Sequence, residues 1–340
     1  MTVTWDEDEV HPQTCATCHD PHDIGTVSGD NTNATVRIYG DTPVLVSGFQ
    51  ATDVGSGAIC MTCHNTRRHR NDDLWDDLSV SDRSRAPHGA AQADIVMGQN
   101  AYYAPTSGAP GGHGTEIEDT CVDCHMKATP PPDDLSYNSG GLNHTFYADE
   151  SICAECHSPH LQAGDVQDGI EALLHQIEAL IVDTSMALID DAIDSGYTVD
   201  FDGTVISDIA QVEDLGLGEG RGRMALVLTT GGATSTVAVT SIDVVDGATT
   251  LLTLWEYGDD SLWKSAWNYF LFHNDGSLGV HNPFFASDTL IASRDALVAA
   301  AGSRNTAAVR KWLTRSEGQR APSTERLPEW REVKKDRVGR

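Results

Sequence analysis

Every cysteine in the chain belongs to one of four copies of the pentapeptide Cys-x-x-Cys-His. The copies are Cys15, Cys18 and His19; Cys60, Cys63 and His64; Cys121, Cys124 and His125; and Cys153, Cys156 and His157. This spacing is the attachment signature of c-type haem: two thiols form thioethers to the porphyrin and the adjacent histidine ligates the iron. None of the eight cysteines is left over for a disulfide, a separate zinc site or a nucleophile. Paired Cys-x-x-Cys can also build structural zinc sites, but a histidine after every second cysteine favours haem. The cofactor expected is therefore haem c, one per motif and covalently attached, with His19, His64, His125 and His157 as proximal ligands.

The sixth position of each iron decides what it can do. A second histidine saturates the metal and suits electron transfer, a methionine raises the potential, and an open site allows catalysis. Ten of the 14 histidines lie outside the motifs, so a bis-histidine set is the simplest assignment. The distal candidates are His88, His113, His144, His281 and His22. His88 and His113 each precede a glycine in small-residue loops where backbone can approach a porphyrin. His144 follows Gly140 and Gly141, and His281 stands at a helix start. His22 and His160 each lie three residues after a motif histidine. That is too close to reach the far face of their own haem, so they would serve a neighbouring haem or another subunit. His175 reads as a solvated helix residue. His69, among Arg67, Arg68 and Arg70, reads as a propionate contact. His273 is open to either role.

The elements that must position these groups follow from periodicity. Residues 1–160 form the tetrahaem-binding region, rich in Gly, Pro, Asn and Asp and expected to be loops and short turns. Pro130, Pro131 and Pro132 make a rigid linker within it. Residues 166–196 repeat apolar side chains at three- and four-residue spacing, which predicts an amphipathic helix with Asp168 as N-cap and Gly196 as its stop. Residues 197–255 alternate in short runs and predict a small antiparallel β module whose last hairpin turns at Asp246-Gly247. Residues 256–315 carry C-terminal helices with the His281 segment. One of them bears Trp263, Trp267, Tyr269, Phe270 and Phe272, for core or porphyrin packing. Another is capped by Asn282 with Pro283 at its first position, and a last helix reaches about Thr314. Residues 316–340 form a basic tail. The fold class expected is a multihaem cytochrome: a loop-rich haem-wrapping domain with a few α-helices and a small antiparallel β module.

The formal net charge is −29. Residues 294–340 hold 12 of the 22 Lys and Arg but 6 of the 51 Asp and Glu, so the rest of the chain is more acidic still. Such a body excludes nucleic acid, whose binding relies on clustered basic residues. No run of eighteen apolar residues occurs, so no membrane span is expected. The acidic start, Met1-Thr-Val-Thr-Trp-Asp-Glu, lacks the order of a signal peptide. Haem is attached to such motifs outside the cytoplasm. The location expected is thus extracellular or cell-surface, with the periplasm as alternative, after removal of a signal peptide not present in this chain.

Two resemblances bear on activity. His113, the Cys121–Met126 motif, the Gly-rich spacer to His144 and the Cys153–His157 motif look like a run in cytochrome c nitrite reductase, and Gly279-Val-His281-Asn-Pro283 is similar to that family's C-terminal distal-ligand segment. This implies distal roles for His113, His144 and His281. It also offers an alternative function, reduction of nitrite or a related small oxyanion. The chain departs from that family in having no Cys-x-x-Cys-Lys motif to carry an open haem. The four motifs, Pro87-His88-Gly89, the 94–102 stretch and the 274–283 block resemble extracellular tetrahaem cytochromes that polymerise into conductive filaments. That likeness implies electron transfer and a homopolymer, with other cytochromes or extracellular acceptors as redox partners. It also implies that His11 or His22 ligates a haem of the next subunit.

Overall fold

The cysteine motifs and the apolar periodic segments separate into two units in the computed structural model. It describes residues 14–23, 27–28, 31–32, 35–70, 85–104, 109–127, 138–139, 142–158, 163–220, 222–258 and 260–303. One unit comprises residues 1–65 and 112–161, the other residues 66–111 and 162–340. His11, His160, the Pro130–Pro132 linker, the helix expected to reach Thr314 and the basic tail lie outside the described residues.

The first unit contains all four motifs. Each is a single helical turn, because the i, i+3 and i+4 positions of a helix share one face. The first turn is Cys15–Cys18. The second motif ends helix α1, Gly57–Cys63, the third is helix α2, Cys121–His125, and the fourth lies on a 3-10 helix, Glu150–Glu155. The histidine backbone N–H donates to the carbonyl of the motif's first cysteine at His19 (2.9 Å), His64 (2.8 Å) and His157 (2.8 Å). Around these turns the chain is loop, as its Gly and Pro content dictates. Its buried apolar residues among those described are few: Leu45, Ala51, Val54, Ala58, Met61 and Val122.

The second unit is built conventionally. Helix α3, Ala163–Asp194, buries the face carrying Ile170, Leu173, Leu174, Ile177, Ile181, Leu188 and Ile189. Its N-terminus lies before Asp168, so that residue is inside the helix and not its cap. Gly196 ends it as expected, with the Tyr197 N–H donating to the Ala192 carbonyl (2.9 Å). The helix is long and apolar enough to cross a membrane, but half of that apolar window is buried inside the fold.

The β module over 198–253 is antiparallel throughout and divides into two sheets. Its strands are β1 Thr198–Phe201, β2 Thr204–Ile206, β3 Asp214–Gly220, β4 Arg223–Thr230, β5 Ala233–Ala238, β6 Ile242–Asp246 and β7 Thr249–Thr253. One sheet runs β7-β6-β1-β2 and the other β3-β4-β5. The expected hairpin at Asp246-Gly247 joins β6 to β7. Helix α4, Asp260–Asp275, buries Trp267, Phe270 and Phe272, and the two phenylalanines join the core with α3 and helix α5, Pro283–Ser303. The Asn282 side chain caps α5 by accepting from the Phe285 N–H (3.3 Å).

The region expected to run unbroken over 1–160 is interrupted. Residues 66–111 belong to the second unit because Ala86, Ala91, Ile95 and Ala101 are buried in its core. Polar bonds pin them there: Trp267 Nε1 donates to the Asn100 carbonyl (2.7 Å), the Tyr102 N–H to Asn268 Oδ1 (2.8 Å), and Asn282 Nδ2 to the Ile95 carbonyl (3.1 Å).

Candidate metal centre

Within the first unit the cysteines of successive motifs are neighbours. The Cys18 thiol is pushed up first by burial and then by the charge of Cys63. The Cys60 thiol is pushed up chiefly by a hydrogen bond to Cys121, then by burial. Cys124 is raised to about 11 by burial and next by Cys153. The motifs are thus strung first to second, second to third and third to fourth. None of the eight cysteines is in a disulfide.

Two close joints hold that string. α1 and α2 meet where the Thr120 hydroxyl donates to the Val54 carbonyl (3.1 Å) and the Ser56 N–H donates to Asp119 Oδ1 (2.6 Å). A Cβ on Gly57 would lie 1.8 Å from Thr120 Oγ1, so only glycine fits there. Lys127 and Glu155 form an ion pair linking the third and fourth motifs.

Two motif histidines face a second histidine from outside the motifs. The His19 and His144 ring centroids are 6.4 Å apart with planes at 42°. Those of His113 and His157 are 6.0 Å apart at 79°. Metal–imidazole bonds are about 2 Å long and a ring centre lies about 1 Å behind its nitrogen, so imidazoles on opposite faces of one iron have centroids about 6 Å apart. Both pairs fit that span. The angle between the planes is unconstrained, because each ring can rotate about the axial bond. Among the described residues no group of three or more His, Cys, Asp or Glu is gathered to hold a metal ion.

The other two motif histidines are placed differently. His125 Nδ1 lies 3.1 Å from the Phe146 carbonyl, which makes Nδ1 the protonated nitrogen and leaves Nε2 as the lone-pair donor, the usual state of a ligating histidine. His64 caps the C-terminal end of α1 and is exposed.

The remaining distal candidates differ in their surroundings. His88 is half-buried. Its Nδ1 is buried with no hydrogen-bond partner, and burial, then Arg67 and Arg68, lower its pKa. A neutral ring with an unsatisfied nitrogen is suited to a metal. His281 Nδ1 is 2.7 Å from Asp275 Oδ1. His22 is exposed; its backbone N–H donates to Asp20 Oδ1 (2.9 Å). His113 sits on a helical turn, Gly112–Thr115, where a flexible loop is expected from sequence. His175 is exposed. His273 is also exposed and stacks on Tyr269 (5.4 Å). Of the basic cluster, Arg68 donates to the carbonyls of Ala86 and Gly222 (3.0 Å for the latter).

The groups that orient the histidines escape a motif search. The Phe146 carbonyl is backbone, and Asp275 reads in sequence as half of an Asp-Gly turn. Its place six residues before His281 carries no pattern. Comparison of the chain with family models, curated proteins and solved structures found no match.

Proposed function

We propose that this chain is an electron carrier that holds four covalently bound c-type haems with bis-histidine ligation. The observation that carries the reading is the pairing of His19 with His144 and of His157 with His113 at 6.4 and 6.0 Å, each pair joining one motif histidine to one outside. When bound, each haem supplies a one-electron iron couple with no vacant position for substrate. The cysteines fix each porphyrin to its helical turn. Paired imidazoles such as His19 with His144 and His157 with His113 would hold the iron through nitrogen donors and leave no position for substrate. Close packing of α1 on α2, and the salt bridge from Lys127 to Glu155, keep successive motifs adjacent, which suits tunnelling because its rate falls steeply with distance.

His144 and His113 serve the first and fourth motifs. His22 is exposed and is the candidate to serve a haem of another copy. On this reading the protein assembles with itself and works at the cell surface or outside the cell.

Quantification of haem on purified protein, with low-temperature EPR, tests the proposal. Four haems per chain, all low-spin, are expected. A five-coordinate high-spin haem in the untreated protein would overturn the saturated-carrier reading and favour the reductase alternative, and an absent Soret band would overturn the haem assignment itself.

A further inference from the structure

The second and third motifs meet closely enough for their first cysteines to touch. Gly57 and Cys60 lie three residues apart on α1 and so share one face. That face is pressed on α2: a Cβ on Gly57 would lie 1.8 Å from Thr120 Oγ1 and 3.2 Å from the Cys121 backbone nitrogen. Thr120 turns the chain into α2 at φ +41°, a left-handed conformation that a β-branched residue adopts only where its surroundings hold it. Here its hydroxyl is fixed on the Val54 carbonyl (3.1 Å), and the neighbouring Asp119 Oδ1 accepts from the Ser56 N–H (2.6 Å). Cys121 is thereby directed at α1, where its sulfur and the Cys60 thiol are hydrogen-bonded. Both residues are half-buried, whereas Cys63, the second cysteine of the same motif as Cys60, is exposed. Cys18 and Cys124 feel Cys63 and Cys153 as neighbouring charges.

We infer that Cys60 and Cys121 form a disulfide when the chain carries no haem, joining the second motif to the third and withholding both from porphyrin. A disulfide places its sulfurs about 2 Å and its Cβ atoms about 4 Å apart, and thiols already in contact close that gap by rotating their side chains. The oxidant is a small disulfide such as oxidised glutathione. One cysteine thiolate attacks it, forms a mixed disulfide and expels one glutathione thiolate; the other then attacks the protein sulfur of the mixed disulfide and expels the second. The two thiol protons pass to the two glutathione thiolates, so the pair gives up two electrons and one oxidant molecule is reduced. The same exchange run with excess thiol reopens the pair. Thioether attachment uses both thiols of a motif, so a chain closed in this way has to be reduced before its second and third motifs take haem. The disulfide follows from the thiol contact alone; its bearing on haem rests on the electron-carrier reading.

The test uses the full chain purified without haem and equilibrated with reduced and oxidised glutathione. It is quenched in acid, alkylated, digested without reductant and mapped by mass spectrometry. A link between Cys60 and Cys121 should be the most abundant cross-link, and the intact chain that carries it should be lighter by two hydrogens. Gly57→Ala pushes α1 away from α2 and should lower the yield of this link several-fold at the same glutathione ratio, while Cys63→Ser should leave it in place. The inference is overturned if Cys60 pairs chiefly with Cys63 or Cys121 with Cys124, if cross-links are spread over all the cysteines, or if Gly57→Ala does not lower the yield. Exposed to ferrous haem without oxygen, the oxidised chain should bind two haems fewer than the reduced chain and recover them after treatment with thiol. Four haems on both chains would overturn the withholding. Haem taken up by neither chain would instead count against the electron-carrier reading, with the mapped link still deciding the disulfide.

Discussion

A histidine facing a motif histidine at about 6 Å is a claim about one side chain, and single substitutions address it. His113→Ala and His144→Ala should each convert one haem of the four to high-spin while haem content stays at wild-type level, read by EPR or resonance Raman. Replacing His175, which is exposed on α3, should change no haem signal. Asp94 makes a different prediction. It is buried and accepts from the Thr66 N–H (2.8 Å), Thr66 Oγ1 (2.9 Å) and Asn100 Nδ2 (3.2 Å), yet burial outweighs these bonds and pushes its carboxyl up to about 6. The folded chain thus holds this proton more tightly than the unfolded chain does. The contribution is full below about pH 4 and is lost as pH rises through about 6, a change of roughly 3 kcal/mol. Urea melts of Asp94→Asn should show a flatter stability profile across that window than wild type.

At the scale of elements, the junction of α1 with α2 sets how close the second and third motifs come. Gly57→Ala forces the Thr120 hydroxyl away and should cost about 1–3 kcal/mol. It should also slow electron exchange between two haems more than their potentials explain, measured by pulse reduction. The β module serves no iron by position, for it carries neither Cys nor His. Its buried strand faces pack with α3 in the core of the second unit. Tyr269, Phe270 and Phe272 of α4 join the same core, and Trp267 is buried beside them in sequence.

For the whole molecule, the contrast between the units matters most. The connected apolar core draws its residues from the second unit alone, while the motif-bearing unit buries little aliphatic surface of its own among its described residues. So small an aliphatic core stabilises a unit of that size weakly, and on the proposed reading bound porphyrins would add the apolar surface it lacks. Limited proteolysis of haem-free protein should cut the motif-bearing segments first and spare 163–303; equal rates across both units would refute this. Net charge of −29 sets copies of the chain against one another, and salt screens that repulsion. Assembly of concentrated protein, followed by electron microscopy, should therefore increase with ionic strength, and His22→Ala should shorten any fibres. The sequence by itself carries the whole signal for the proposed attachment chemistry, because thioether and axial ligation need residue types at fixed local spacing. It also determined α3, the hairpin at Asp246-Gly247 and the capped start of α5, whose signals lie within a few residues of one another. Only the tertiary structure decided which histidines face each other, that 66–111 leave the motif-bearing region for the other unit, and that Asp275 stands behind His281. Those are relations between segments distant in sequence or hidden in a turn, set by which buried polar groups find partners, and no local period encodes them.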